Sequence, residues 1–93
     1  MIELNDIFSQ AKAALDDGMP DRALRILDTL SVGNTGEVLF LKGEIYFKLQ
    51  KWGEALNHFS AYQEQFPDEK QAESYILMIQ NILGFYHRDL YNP

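Results

Sequence analysis

The chain has 93 residues, 46% apolar and 24% charged, with eight basic against fourteen acidic side chains and a net charge of −6. That balance argues against a polyanion partner, because DNA and RNA are held through clustered Lys and Arg, and here Arg22 and Arg25 are the nearest thing to a pair. No cysteine is present, which removes disulfides, thiolate metal sites and cysteine nucleophiles together.

A chain of this length makes one small domain, able to bury roughly 60–65% of the surface its unfolded form exposes. The opening Met1-Ile2-Glu3-Leu4-Asn5-Asp6 has neither the basic start nor the apolar run of a signal peptide. No window approaches the ~20 apolar residues of a membrane span. A cytoplasmic location and no membrane partner are the resulting expectations.

Apolar periodicity predicts five helices in hairpin pairs. The first covers about 4–17, with Ile7, Phe8, Ala11, Ala14 and Leu15 on one face. Gly18 ends it, and Pro20 suits the first position of the next helix, where a missing N–H costs nothing. The second helix is expected over about 20–30, burying Ala23, Leu24, Leu27 and Leu30. Residues 31–36 are dense in turn formers, and Asn34 with Glu37 three residues on reads as a capping box opening the third helix. That helix reaches about residue 49, and the fourth spans about 52–66, stopped by Pro67. Asp68, with Gln71 three residues on, is expected to cap the fifth. The fifth carries Ala72, Tyr75, Ile76, Ile79, Ile82, Leu83 and Tyr86, and either breaks at Gly84 or continues to about residue 91.

An internal repeat supports the pairing. A forward shift of thirty-two residues lays Ile7 on Leu39, Ala11 on Gly43 and Ala14 on Tyr46. It also lays Ala23 on Ala55, Leu24 on Leu56, Leu27 on Phe59 and Leu30 on Tyr62. Small residues thus recur where two helices of a hairpin must approach closely, with large ones around them.

Leu39, Gly43, Tyr46, Trp52, Ala55, Phe59, Tyr62 and Pro67 stand at offsets that resemble the tetratricopeptide (TPR) pattern, whose unit is ~34 residues. The resemblance is strong over 36–69 and weaker over 4–31, where Pro20 stands in place of Trp52 and Ala14 in place of an aromatic. The tail from Ile82 to Asn92 is similar to the ending of short bacterial TPR proteins of no assigned activity. The resemblance implies an all-α fold: a short right-handed superhelix of about two and a half repeats, with residues 70–91 as a C-terminal capping helix. It also implies a concave groove lined by the first helix of each repeat. Carried over residue by residue, that face holds Asn5, Phe8, Lys12 and Leu15, then Glu37, Phe40, Glu44, Phe47 and Lys48, then Tyr75, Met78 and Ile82.

The sequence bears on that face independently. Val38-Leu39-Phe40-Leu41 and Ile45-Tyr46-Phe47 are apolar all round the helix, so something must cover Phe40 and Phe47. Three covers are open: the first and last helices of the same monomer, a bound peptide, or a second copy. The best-known TPR mode clamps a partner's terminal carboxylate between lysines and asparagines, but the matching positions here are Asn5, Phe8, Lys12, Phe40 and Glu44, so that clamp is essentially missing. The expected function is a non-catalytic protein-interaction module that takes a peptide segment, apolar with basic neighbours, in its groove. The alternative is a homo-oligomeric subunit using the same aromatic face, so the chain is expected to be a monomer or a weak homodimer.

Phe85, Tyr86 and Tyr91, interleaved with His87, Arg88 and Asp89, either fold back on the fourth helix or form a docking motif. His87-Arg88-Asp89-Leu90 mimics a kinase catalytic loop, but no glycine-rich loop or suitably placed Asn accompanies it. His58 has no second ligand at metal spacing, and no Ser–His–Asp order or phosphate loop appears. No enzymatic role, cofactor or metal is expected.

Overall fold

The computed structural model describes residues 4–30 and 35–86, with the backbone alone for residues 4, 5, 85 and 86. Among the described residues the chain is all-α, with five helices and no strand. They are α1 (Leu4–Asp16), α2 (Pro20–Leu27), α3 (Gly36–Lys48), α4 (Trp52–Gln65) and α5 (Lys70–Tyr86). Each packs on its neighbour in the chain, and α1 also touches α3. Every helix therefore buries its apolar stripe against the element made just before or just after it.

The thirty-two-residue shift is written into the backbone. It carries the bounds of α1 onto those of α3, and the start of α2 onto that of α4. Both hairpin turns close in the same way. The Met19 N–H donates to the Ala14 carbonyl at 2.9 Å, and the Lys51 N–H donates to the Tyr46 carbonyl at 2.9 Å. One residue earlier, the Gly18 N–H reaches Leu15 and the Gln50 N–H reaches Phe47, each at 3.0 Å. This is a Schellman closure, and it needs a left-handed residue just past the helix. Gly18 supplies it at φ +80°, and Gln50 adopts φ +60° in the same place. The first turn has the residue suited to the geometry, whereas the second imposes it on a side chain.

Two buried clusters fill the interior. The first is aliphatic: Ala11, Ala14, Leu15, Ala23 and Leu27 pack with Leu41 and Ile45 of α3. The second joins Ala55, Phe59, Ala72 and Ile79, around which Phe40, Tyr46, Phe47, Trp52, Tyr62 and Tyr75 are half-buried. Helix α3 lies between the two and feeds both, which is why its sequence is apolar nearly all round. Its buried Gly43 is required by size: a Cβ there would come within 2.7 Å of the Phe59 ring, itself fully buried.

Several expected boundaries move for local reasons. Helix α2 ends at Leu27 and not near residue 30, because the chain tightens into three-residue turns: the Thr29 N–H donates to Ile26 and the Leu30 N–H to Leu27. The Thr29 hydroxyl also donates to the Ile26 carbonyl at 2.7 Å, taking up a carbonyl that the next turn of helix would have used. The cap of α3 is Thr35 and not Asn34, which lies outside the described residues; the Thr35 hydroxyl accepts the Val38 N–H at 3.4 Å. At α5 the Glu69 carboxylate, not Asp68, accepts the Gln71 N–H, also at 3.4 Å. Gly84 does not break α5, which runs on to Tyr86. The aromatic tail beyond it, His87 to Tyr91, and the side chains of Phe85 and Tyr86 lie outside the described residues.

Candidate functional site

Glu37, Phe40 and Glu44 are spaced at i, i+3 and i+7 on α3, so they project from one stripe of the helix. Phe8 and Lys12 repeat the pattern on α1 at i, i+4, and Gln71 and Tyr75 do so on α5. These three faces converge on an open furrow of about 650 Å³, which Tyr62 and Phe66 at the end of α4 complete. The furrow lies along the N-terminal half of α3, and the N-cap Thr35 and the first helical residue Gly36 form part of its wall.

Interlocking rings hold this surface in place. Phe40 meets Phe59, Tyr62 and Tyr75 edge-on, with ring centres 5.4, 5.1 and 5.9 Å apart. Tyr75 stacks flat on Phe59 at 4.4 Å and 7°, and Phe47 meets Tyr75 edge-on at 5.2 Å. Edge-to-face and offset pairs of this kind add about 0.5–1.5 kcal/mol each beyond their buried area. Rings so fixed make Phe40 and Tyr75 rigid parts of the wall. They also show what covers Phe40 and Phe47: both are half-buried against rings of the same chain, and each borders a cavity.

One polar link crosses the furrow. The Tyr75 hydroxyl donates to a Glu44 carboxylate oxygen at 3.2 Å, tying α5 to α3 across thirty-one residues of sequence. Burial pushes the Glu44 carboxyl above the ordinary carboxylate range, while the Tyr75 hydrogen bond and the charge of Lys12 pull it back. Burial likewise raises the Tyr75 phenol, and the neighbouring Glu44 charge adds to it.

Of the side chains expected on the concave face, Phe8, Lys12, Glu37, Phe40, Glu44 and Tyr75 meet in this furrow. Leu15 and Phe47 do not; with Lys48 they border a second hollow of about 330 Å³ on the other side of the Glu44–Tyr75 link. Leu15 is only 9% exposed and also belongs to the aliphatic core. Met78 is 47% exposed and lines neither hollow, and Ile82 is half-buried on the same helix. The side chain of Asn5 lies outside the described residues. Tyr62 and Phe66 were not anticipated. The repeat places Tyr62 over Leu30, a core position, which hides its second role as furrow wall.

Elsewhere, His58 is a half-buried helix residue whose Nδ1 lies 2.7 Å from the Glu54 carbonyl, and its ring lies against Tyr46. Among the described residues no three His, Asp or Glu side chains gather as metal ligands would, and no helix is long and apolar enough to cross a membrane. Compared with family models, with curated proteins and with solved structures, the chain finds no match.

Proposed function

We propose that the chain is a non-catalytic protein-interaction module, a short right-handed TPR-like superhelix of about two and a half repeats that holds a peptide segment of another protein in its concave face. The observation that carries this reading is the furrow on the Glu37–Phe40–Glu44 stripe, walled by α1 and α5 and lined by rigid aromatics. Rigid rings give a partner apolar contact with little ordering cost, and the half-open shape suits an extended or helical segment. The repeated turn geometry of the two hairpins supports the array, because each unit needs its neighbour to complete a core.

The second reading is self-association through the same face, favoured by Phe66, a furrow-wall ring that is 44% exposed. Both readings are tested by a photo-crosslinking residue placed at Lys12 or Glu37, exposed furrow positions, and at Arg25, exposed on α2 away from it. In cells that make the protein, adducts to one distinct protein from the furrow positions, and none from Arg25, support the module. Adducts of the chain with itself support the homo-oligomer. Equal labelling from all three positions overturns both.

A further inference from the structure

We propose that the furrow is a socket for an arginine side chain of the bound segment, with Glu44 as the anion that receives the guanidinium. The inference rests on the peptide-binding reading above and adds the chemistry that the site selects. Glu44 is half-buried, yet among the described residues its carboxylate accepts a single hydrogen bond, from Tyr75 to one oxygen. An ionised carboxylate has about four acceptor positions, so most of its capacity is left to the furrow and to the second hollow, both of which Glu44 lines. No cation of the described chain fills it: the one ion pair within 4 Å among those residues is Lys70 with Glu73, on the surface of α5. Lys12 and Lys48 are close enough to favour the Glu44 charge and Asp16 to oppose it, but neither lysine forms a pair with it.

Apart from Lys12, whose charge opposes a second cation, the charged and aromatic lining suits the same ligand. Five aromatic side chains line the furrow, Phe40, Tyr62 and Tyr75 among them, and the exposed Glu37 adds a second carboxylate. Faces of aromatic rings attract cations, and arginine gains most because its flat, weakly hydrated fork stacks on a ring while its N–H groups meet a carboxylate in pairs. A lysine ammonium would lose more hydration and gain one contact fewer. A neutral apolar residue would desolvate the carboxylate further and leave it with no partner beyond Tyr75, an unfavourable outcome that makes the site selective.

The test uses the full chain and two capped tripeptides, acetyl-Leu-Arg-Leu-amide and its citrulline counterpart, which keeps the shape and removes the charge. Two-dimensional amide NMR at neutral pH reads where each binds. The expected result is a set of shifts centred on Phe40, Glu44 and Tyr75, with the arginine peptide about tenfold tighter, the worth of one charge-assisted contact. In Glu44→Gln, which keeps the Tyr75 partner and the shape, that preference falls to near unity. Where Glu44→Gln fails to fold, the arginine-to-citrulline ratio on the unaltered chain decides. Equal binding of both peptides in the furrow overturns the socket and leaves the peptide groove standing. No furrow shifts with millimolar arginine peptide also overturns the socket, and the crosslinking result then decides the groove separately. Furrow shifts that appear on concentrating the chain alone overturn it in favour of a second copy.

Discussion

The two hairpins share one backbone and fill it differently. In the first, Ala11 and Leu27 occupy the close helix approach, with Ala14 behind them; in the second the same places hold Gly43, Phe59 and Tyr46. The larger ring has come in where the facing residue has lost its Cβ, so the helices keep their relation while the contents change. The reason lies in the neighbours. The first hairpin is closed by the aliphatic side of α3, through Leu41 and Ile45. The second must fill the wider region between α3, α4 and α5, and large flat rings do so while leaving rims that reach the furrow. A repeated unit can therefore remain a structural element in one copy and become a candidate binding surface in the next.

The comparison is broken most severely at its centre. Phe59→Ala removes the ring on which Tyr75 stacks and is expected to cost about 3–5 kcal/mol, at the top of that range and above the loss for Leu27→Ala at the equivalent place, whose class spans about 2–5, both read by urea unfolding. Equal losses would mean that the aromatic half is no more tightly filled than the aliphatic half. Next comes Gly43→Ala, which drives a methyl into a buried ring and is expected to cost about 1–3 kcal/mol despite alanine's better helix propensity. Adding Phe59→Leu recreates the pairing of the first hairpin. The double variant should then be more stable than the sum of the single losses predicts; strict additivity would refute the size compensation.

Smaller effects sharpen the likeness of the two turns. Gln50→Gly relieves a left-handed side chain and is expected to raise stability by about 1 kcal/mol. Gly18→Ala, at the corresponding place, should lower it by about as much. The smallest effect is electrostatic. Because burial raises the Glu44 carboxyl in the folded chain above its ordinary value of 4.5, the folded state holds that proton more tightly than the unfolded one. Its contribution is therefore fully present below the unfolded value and lost as pH rises through the folded one. Glu44→Gln removes this dependence, so the stability of the variant relative to the unaltered chain should climb across that window and then level off. A flat difference would show that Glu44 is not desolvated.

Much of the helical frame was legible in the sequence, because it depends on residues that act locally. Gly18 and Pro20 mark the first turn, Pro67 follows the end of α4, and the recurrence of Ala23 at Ala55 gives the register of the pairing. Legibility fails where two adjacent residues offer the same chemistry: Thr35 and Glu69 cap where Asn34 and Asp68 are expected, each a shift of one residue. It fails again where depth matters. An all-round apolar α3 shows that Phe40 and Phe47 are covered but not by what, and the answer is rings of α4 together with Tyr75 of α5. The Glu44–Tyr75 link belongs to this class, since nothing local relates residues so far apart. Six of the expected groove residues meet in one furrow because they follow helical spacing on α1, α3 and α5, whereas Leu15 turns into the core and Met78 away from the cavity.

The central claim is that the aromatic half leaves its furrow open to a partner and does not close it with a second copy. Light scattering after gel filtration, across a wide range of concentration, tests this most directly. The expected result is the mass of one chain, 10.8 kDa, throughout. A dimer that dissociates on dilution, and that Glu37→Arg in the furrow abolishes without unfolding the chain, would contradict it.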